Sequence, residues 1–588
     1  MQVKRLFDIP AYRKEQNAPR PVFVHKEAGV WKEHNIDEYI SQSELISFGL
    51  LSMGVERGEN VALVSSGRPE WNYIDMGVQM IGAVLVPIYP TISEEDYLFI
   101  LSNAEVRYII VESEGLLHKM QHIADKLPEL QCIYTINPVE GTPNLSDIIA
   151  LGSQNPNPQL LESIKSSITE DDVATMIYTS GTTGVPKGVM LSHKGILMNL
   201  FGIEESPLPY FTTALSWMPL CHIYERMMNY LYQYMGFETY YAESVGKVAE
   251  NAKEARPHIM ASVPRFLEKV YDKIYRKGEK LTGLKRKIFF WALELGCNYD
   301  MDKPKQSIGF RIKRLFADKM VYSQIRESLG GRLDMLVSGG AAIQPRLTRF
   351  FTCVGLTLYE GYGLTECSPL VAVTNSHGGR RIGTVGKTLR GLEVKIAPEN
   401  NEILCRGGNV MKGYYKSPEL TADAIDSDGW FHTGDTGRFD SDGFLYLTGR
   451  TKSMFKTSMG KFVNPEVIEE KFKESPFVLD MMVVGEGQKF AAAIIAPDFD
   501  FLKEWQQRHG VPKYQTREEM ISDKQTLQRY QKVVDKYNAQ LGNTEQIKKW
   551  HLVTDTWSES NKFLTPTLKI RRGVISAAYK EIIDNLFE

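Results

Sequence analysis

A chain of 588 residues with a formal net charge of −3 is too long for one hydrophobic core, implying roughly three to five folding units, and it shows no global charge that would favour nucleic acid. Hydrophobic residues at 43% and charged residues at 24% exclude a disordered chain. Cys132, Cys221, Cys297, Cys353, Cys367 and Cys405 are scattered without metal-ligand spacing, which reads as reduced thiols in a cytoplasmic protein.

The opening run Met1 to Pro10 has no long apolar stretch or small-residue cleavage site. No window reaches the ~18 uninterrupted apolar residues that cross a bilayer, so neither export nor a membrane span is expected. From about residue 60, short apolar β-type runs alternate with helical segments. Val61 to Val64 precedes a helix-like Trp71 to Ala83, Val84 to Ile88 precedes Glu94 to Asn103, and Val106 to Val111 follows. Such alternation predicts parallel sheets covered by helices, with binding loops at the carboxyl ends of strands.

One such loop follows the apolar run Val173 to Ile177: Tyr178-Thr179-Ser180-Gly181-Thr182-Thr183-Gly184-Val185-Pro186-Lys187-Gly188. Its glycines let backbone N–H groups approach an anion, and its hydroxyls and lysine add donors that suit phosphate oxygens. The ATPase phosphate loop ends in Gly-Lys-Ser/Thr, whereas Lys187 stands between Pro186 and Gly188, so this is a different device. A flexible turn is the bland alternative for any stretch of this composition.

Between Arg380 and Gly449 the chain turns to short, glycine-spaced β runs, among them Leu392 to Ile396, Glu402 to Arg406 and Phe444 to Thr448. After Arg450 a separate α+β unit is predicted, with strands around Met481 to Val484 and Ala491 to Ile495. The polar, helical Phe501 to Lys549 reads as an insertion in it.

Further blocks follow the 178–188 loop in order: Ser338-Gly339-Gly340-Ala341-Ala342; Tyr359-Glu360-Gly361-Tyr362-Gly363-Leu364-Thr365-Glu366; Gly429-Trp430-Phe431-His432-Thr433-Gly434-Asp435; Gly449-Arg450-Thr451-Lys452; and Leu564-Thr565-Pro566-Thr567-Leu568-Lys569. Together they resemble the adenylate-forming (AMP-binding) enzymes, the superfamily of acyl-CoA synthetases, luciferases and peptide-synthetase adenylation domains. The resemblance spans residues 178–569. It implies an α/β fold in which residues 1–450 form an ATP- and acyl-binding domain of two α/β subdomains plus a β subdomain at about 380–449. Residues 451–588 would form a mobile α+β C-terminal domain.

The resemblance also assigns roles. Thr179, Ser180, Gly181, Thr182, Thr183, Gly184 and Lys187 would embrace the β- and γ-phosphates of ATP, Glu366 would hold Mg²⁺, and Thr365 would touch the α-phosphate. Gly339, Gly340 and Ala341, with Glu360, Gly361, Tyr362 and Gly363, would border adenine, Tyr362 stacking on the base. A tight strand-to-helix turn uses the same small residues. Asp435 and Arg450 would meet the ribose, although Asp in Thr-Gly-Asp-Thr-Gly is also a turn former. Lys569 would be the catalytic lysine at the α-phosphate, set in a basic stretch with Lys562, Arg571 and Arg572 that could equally be a solvated face. Lys452 falls at the expected hinge, and Gly460, within Thr457 to Pro465, along the path of coenzyme A. Asn464-Pro465-Glu466 can also simply start a helix.

Trp217-Met218-Pro219-Leu220-Cys221-His222-Ile223-Tyr224-Glu225-Arg226 resembles the long-chain branch, in which His222 would lie near the acyl carboxylate. A lone His among apolar residues is otherwise a satisfied core side chain. Ala261 to Tyr271 resembles the same branch. Basic helical sequence follows, with Gly283 to Leu293 and Phe310 to Phe316 mixing cations with apolar residues. That mixture suits a helix on the anionic inner face of a membrane, or equally an amphipathic helix packed on its own core. The expectation is therefore a long-chain fatty acid:CoA ligase using ATP, Mg²⁺ and coenzyme A. Its rivals are a ligase of another acid, an acyl-carrier-protein synthetase, and a nucleotide-dependent lipid-binding scaffold.

Overall fold

The computed structural model describes residues 2–17, 20–180, 185–206, 208–301, 306–375, 378–451, 454–458, 461–512, 514–565 and 569–588. By its contacts the chain divides into two compact units, residues 1–395, 404–433 and 440–445 in the first and 396–403, 434–439 and 446–588 in the second.

The first unit holds two large sheets. In one, the strands Asn60–Val64 and Val84–Ile88 are buried at every residue, as expected of parallel strands covered on both faces. They pair in parallel with each other, and the sheet runs outward from them through Tyr108–Val111 to Cys132–Thr135 and, on the other side, through Val173–Ser180 to Pro186–Ser192 and Gly413–Tyr414. Among the described residues the second sheet has nine strands. Thr213–Ser216, Ile259–Ser262, Met335–Ser338 and Thr357–Gly363 run parallel at its centre, with the antiparallel Leu370–Val373 beyond them.

Two helices of this unit are buried on almost all sides. Every residue of Pro69–Met80 except Glu70 is buried, as is every residue of Ile223–Tyr234 except Tyr234 itself. A helix with no solvent face belongs to the interior. The two are tied by an ion pair between Asp75 and Arg226, both fully buried. The Arg226 Nε also donates to Tyr230 (2.7 Å) and its Nη1 to Thr175 (2.7 Å). The ion pair thus joins both helices to the strand that carries the phosphate-type loop.

In the second unit the strands Val478–Val484 and Ala491–Pro497 form an antiparallel pair, and Ile547–Leu552 joins in parallel. The stretch read from sequence as an insertion is part of this core. Its helix Lys524–Asn538 buries Tyr530, Val533, Val534 and Tyr537 against the sheet, and its end, including Lys549, lies in the third strand. A long polar face on that helix hides a narrow apolar stripe, which explains the misreading. Among the described residues no helix is long and apolar enough to cross a membrane.

Candidate functional site

The Ser/Thr/Gly loop is flanked by two described strands. Val173–Ser180 runs out and Pro186–Ser192 runs back antiparallel, with Thr179 opposite Lys187 and Ser180 opposite Pro186. Because Val173–Ser180 is parallel to Val84–Ile88, it ends at the carboxyl edge of its sheet, where ligands of open α/β sheets bind. Gly181, Thr182, Thr183 and Gly184, like Lys452 and Gly460, lie outside the described residues.

The blocks of the nine-stranded sheet share one edge too. Ser262, Ser338 and Glu360 are register partners across three strands, so Gly339-Gly340-Ala341 and Gly361-Tyr362-Gly363 emerge side by side. Thr365 and Glu366 occupy the 3₁₀ turn Thr365–Cys367, between the strands Thr357–Gly363 and Leu370–Val373. Gly363 is required there, since a Cβ would stand 1.8 Å from the Pro369 carbonyl oxygen. Tyr362 is buried on its strand opposite Ala372. The Glu360 carboxylate accepts from Thr348 (2.9 Å), and desolvation, against that hydrogen bond, pushes its pKa up to about 7.

One side chain links the two edges. Gly413–Tyr414 pairs antiparallel with Pro186–Ser192, placing Tyr414 opposite Val189 and diagonal to Lys187. The Lys187 ammonium lies 4.9 Å from the centre of the Tyr414 ring, and the Tyr414 hydroxyl donates to Glu366 Oε1 at 3.0 Å. The Met411 N–H holds the Glu366 carbonyl at 2.8 Å. A cation of the phosphate-type loop and the carboxylate assigned to Mg²⁺ thus share one tyrosine. Tyr414 escaped the sequence reading. Its only local signal, Gly413-Tyr414-Tyr415, gives no hint of the strand pairing that brings it to Lys187.

His222 caps the helix Ile223–Tyr234, its Nδ1 accepting the Tyr224 N–H at 3.2 Å. With Nδ1 engaged as acceptor, Nε2 carries the proton of the neutral ring and is a donor. The ring is half-buried. Its helix is anchored beside Gly339, because the Tyr224 hydroxyl donates to the Val337 carbonyl at 2.8 Å. Glu225 is fully buried. Its Oε1 accepts from Ser216 (2.6 Å), its Oε2 meets no partner among the described residues, and desolvation raises its pKa to about 8.

Within the second unit, Asp435 lies on Phe431–Phe439 and Arg450 ends Leu445–Arg450, and the two form an ion pair at 2.9 Å. Lys569 closes a small loop. The Thr565 N–H donates to its carbonyl (2.8 Å) and its own N–H to Thr565 Oγ1 (3.1 Å), while residues 566–568 are not described. The residue as a whole is exposed, yet crowding at the ammonium lowers its pKa by desolvation. The Arg450 cation lowers it further, while the Asp435 and Glu466 carboxylates raise it. Asp435, Arg450 and Lys569 are therefore within electrostatic reach of one another. Of the basic neighbours, Arg572 is taken up by Glu469 at 2.6 Å. Asn464 accepts the Glu466 N–H at 3.2 Å and starts the helix Pro465–Phe472.

Among the described residues no cluster of three or more His, Cys, Asp or Glu could hold a metal. A lone carboxylate such as Glu366 suits Mg²⁺, which takes its remaining ligands from water and phosphate oxygens.

The sequence matches a known family. Residues 12–415 match the AMP-binding enzymes and residues 453–588 the AMP-binding enzyme C-terminal domain. The chain belongs to this family of adenylate-forming enzymes. It is 31% identical over 564 residues to the long-chain-fatty-acid–CoA ligase FadD15 of Mycobacterium bovis, covering 95% of this chain and 93% of that one. It is also 31% identical to the peroxisomal long chain acyl-CoA synthetase 7 of Arabidopsis thaliana, covering 94% of this chain and 81% of that one. Among solved structures, the A-PCP didomain of a carboxylic acid reductase from Segniliparus rugosus, in complex with AMP, shares the fold at a TM-score of 0.77 and 20% identity, covering 100% of this chain and 82% of that one.

Proposed function

We propose that this chain is a long-chain fatty acid:CoA ligase. It activates a fatty acid with ATP to an acyl-adenylate, releasing pyrophosphate, and passes the acyl group to the thiol of coenzyme A, releasing AMP. The observation that carries the reading is the Lys187–Tyr414–Glu366 linkage, in a chain whose curated relatives with this activity match it over nearly its full length.

A carboxylate oxygen is a poor leaving group, so the acid must first be joined to phosphorus. Attack on the α-phosphate concentrates negative charge on non-bridging oxygens, and fixed cations and N–H donors favour that state over the reactants. In this reading Thr179, Ser180 and Lys187, with residues 181–184, hold the outer phosphates, and Thr365 and Lys569 face the α-phosphate. Glu366 would hold Mg²⁺, which when bound neutralises phosphate charge. Gly339, Gly340, Ala341, Glu360, Gly361, Tyr362 and Gly363 border the base, and Asp435 and Arg450 meet the ribose. His222 offers its Nε2–H to the acyl carboxylate. Lys452 serves as the hinge and Gly460 borders the path of coenzyme A. Contact of the basic helices near 283–316 with the inner face of a membrane belongs to the same proposal.

Incubation with ATP, Mg²⁺, coenzyme A and palmitate is expected to yield AMP and palmitoyl-CoA. Fatty acid bound without release of AMP would point to a lipid-binding scaffold instead. Carrier protein offered in parallel with coenzyme A, and acids of graded length, identify the acceptor and the preferred chain.

A further inference from the structure

A surface helix ordinarily turns its apolar stripe toward the core. The helix Ile308–Ala317 does the opposite. Its inward positions are Phe310, stacked on Tyr299 with centroids 5.6 Å apart, Arg314, whose Nε donates to the Cys353 carbonyl at 2.9 Å, and the buried Ala317. Its outward positions are Ile308, Ile312, Leu315 and Phe316, exposed at 76%, 62%, 71% and 50%. This spacing is one continuous stripe, and Leu284, exposed at 72% at the start of the neighbouring helix Gly283–Cys297, adds to the apolar surface of the region. Between the two helices a shallow apolar cleft of about 290 Å³ is lined by Lys287, Ile288, Trp291 and Phe316.

The surroundings are cationic. Residues 283–320 contain nine Lys and Arg against four Asp and Glu, on a chain of net charge −3. Lys285, Lys287, Arg311, Lys313 and Lys319 are exposed. Exposed apolar residues gathered in one place mark an interaction surface, and the charge around them selects its partner. A second copy of this chain would set like charges against one another. An anionic bilayer offers hydrocarbon to the stripe and phosphate to the rim.

We propose that this face docks on an anionic lipid bilayer, with Ile308, Ile312, Leu315 and Phe316 entering the interface and the flanking lysines and arginines meeting the headgroup phosphates. The proposal gives the membrane contact named above its side chains and orientation. It rests on the ligase reading only for the benefit of meeting a substrate that dissolves in membranes.

The test is co-sedimentation of the full chain with vesicles of phosphatidylcholine alone or mixed with phosphatidylglycerol, alongside AMP release from detergent-dispersed palmitate. Binding is expected to the anionic vesicles and to weaken with salt. The doubly substituted Ile312→Glu, Phe316→Glu chain should bind at least ~10-fold more weakly, and Lys285→Gln with Lys287→Gln should lose about fivefold for each charge. Both variants alter exposed residues and should keep AMP release. Unchanged vesicle binding by the Ile312→Glu, Phe316→Glu chain overturns the proposal. So does absence of wild-type binding, or a change of oligomeric state in that variant without any lipid affinity, which would assign the face to a second copy. Failure of the unsubstituted chain to bind vesicles while it still releases AMP sinks the docking alone, whereas its binding to vesicles without AMP release sinks the ligase reading.

Discussion

Tyr414 touches two groups to which the AMP-binding resemblance gives different duties, the Lys187 ammonium through its ring and the Glu366 carboxylate through its hydroxyl. Tyr414→Phe keeps the ring and removes the hydrogen bond to a charged partner, a contact worth about 1.5–3 kcal/mol. The expected result is a loss of about 10-fold or more in adenylate formation, with thioester formation from supplied palmitoyl-adenylate little changed; pyrophosphate exchange measures the first and acyl-CoA yield the second. Equal loss in both would make Tyr414 a general structural support. Lys569→Ala should suppress adenylate formation by about 10²–10³-fold, the scale seen when one fixed donor is removed from a developing charge. The same two assays read that outcome, and a comparable fall in thioester formation would contradict the assigned role. Lys187, Glu366 and Lys569 were legible as members of ordered blocks, whereas Tyr414 owes its place to a strand pairing that no local pattern encodes.

At the scale of elements, Arg226 shows a motif residue absorbed by the fold. It stands four residues from His222 in one sequence block, yet its guanidinium serves Asp75, Tyr230 and Thr175 in the interior. Arg226→Met would strand Asp75 as a buried charge, costing about 3–5 kcal/mol of stability in chemical denaturation, and a second change, Asp75→Asn, should restore part of it. The helices Ile36–Ser52 and Leu145–Gln154 cross with backbones almost touching, since a Cβ on Gly152 would fall 1.9 Å from the Leu45 carbonyl oxygen. Gly152→Ala is expected to cost about 1–3 kcal/mol by forcing those helices apart, and a denaturation midpoint equal to that of the parent chain would refute this crossing. Helix periodicity was readable in both cases. Which face each helix would bury was not, as the outward stripe of Ile308–Ala317 and the inward stripe of Lys524–Asn538 make plain.

For the whole molecule, stability should depend on pH through two buried carboxyls. Both Glu225, with a pKa of about 8, and Glu360, at about 7, lie above the 4.5 of a free side chain. Between those values the folded chain keeps protons that the unfolded chain releases. Their contribution is therefore full below pH 4.5 and is lost as pH rises to about 8. Denaturation midpoints should decline across that window, and Glu225→Gln should flatten the decline; an unaltered slope in that variant would remove Glu225 from the account.

Taken alone, the sequence determined the family, the parallel α/β plan and the order of the nucleotide-type blocks, because each is written in short runs whose glycines, hydroxyls and charges act locally. Tertiary structure alone decided that Lys187 and Glu366 share Tyr414, that Asp435 pairs with Arg450, that Glu225 is sealed from water and that one apolar stripe faces outward. Those outcomes depend on strand register and on which surfaces are left after packing, and both are set by contacts between residues far apart in the chain.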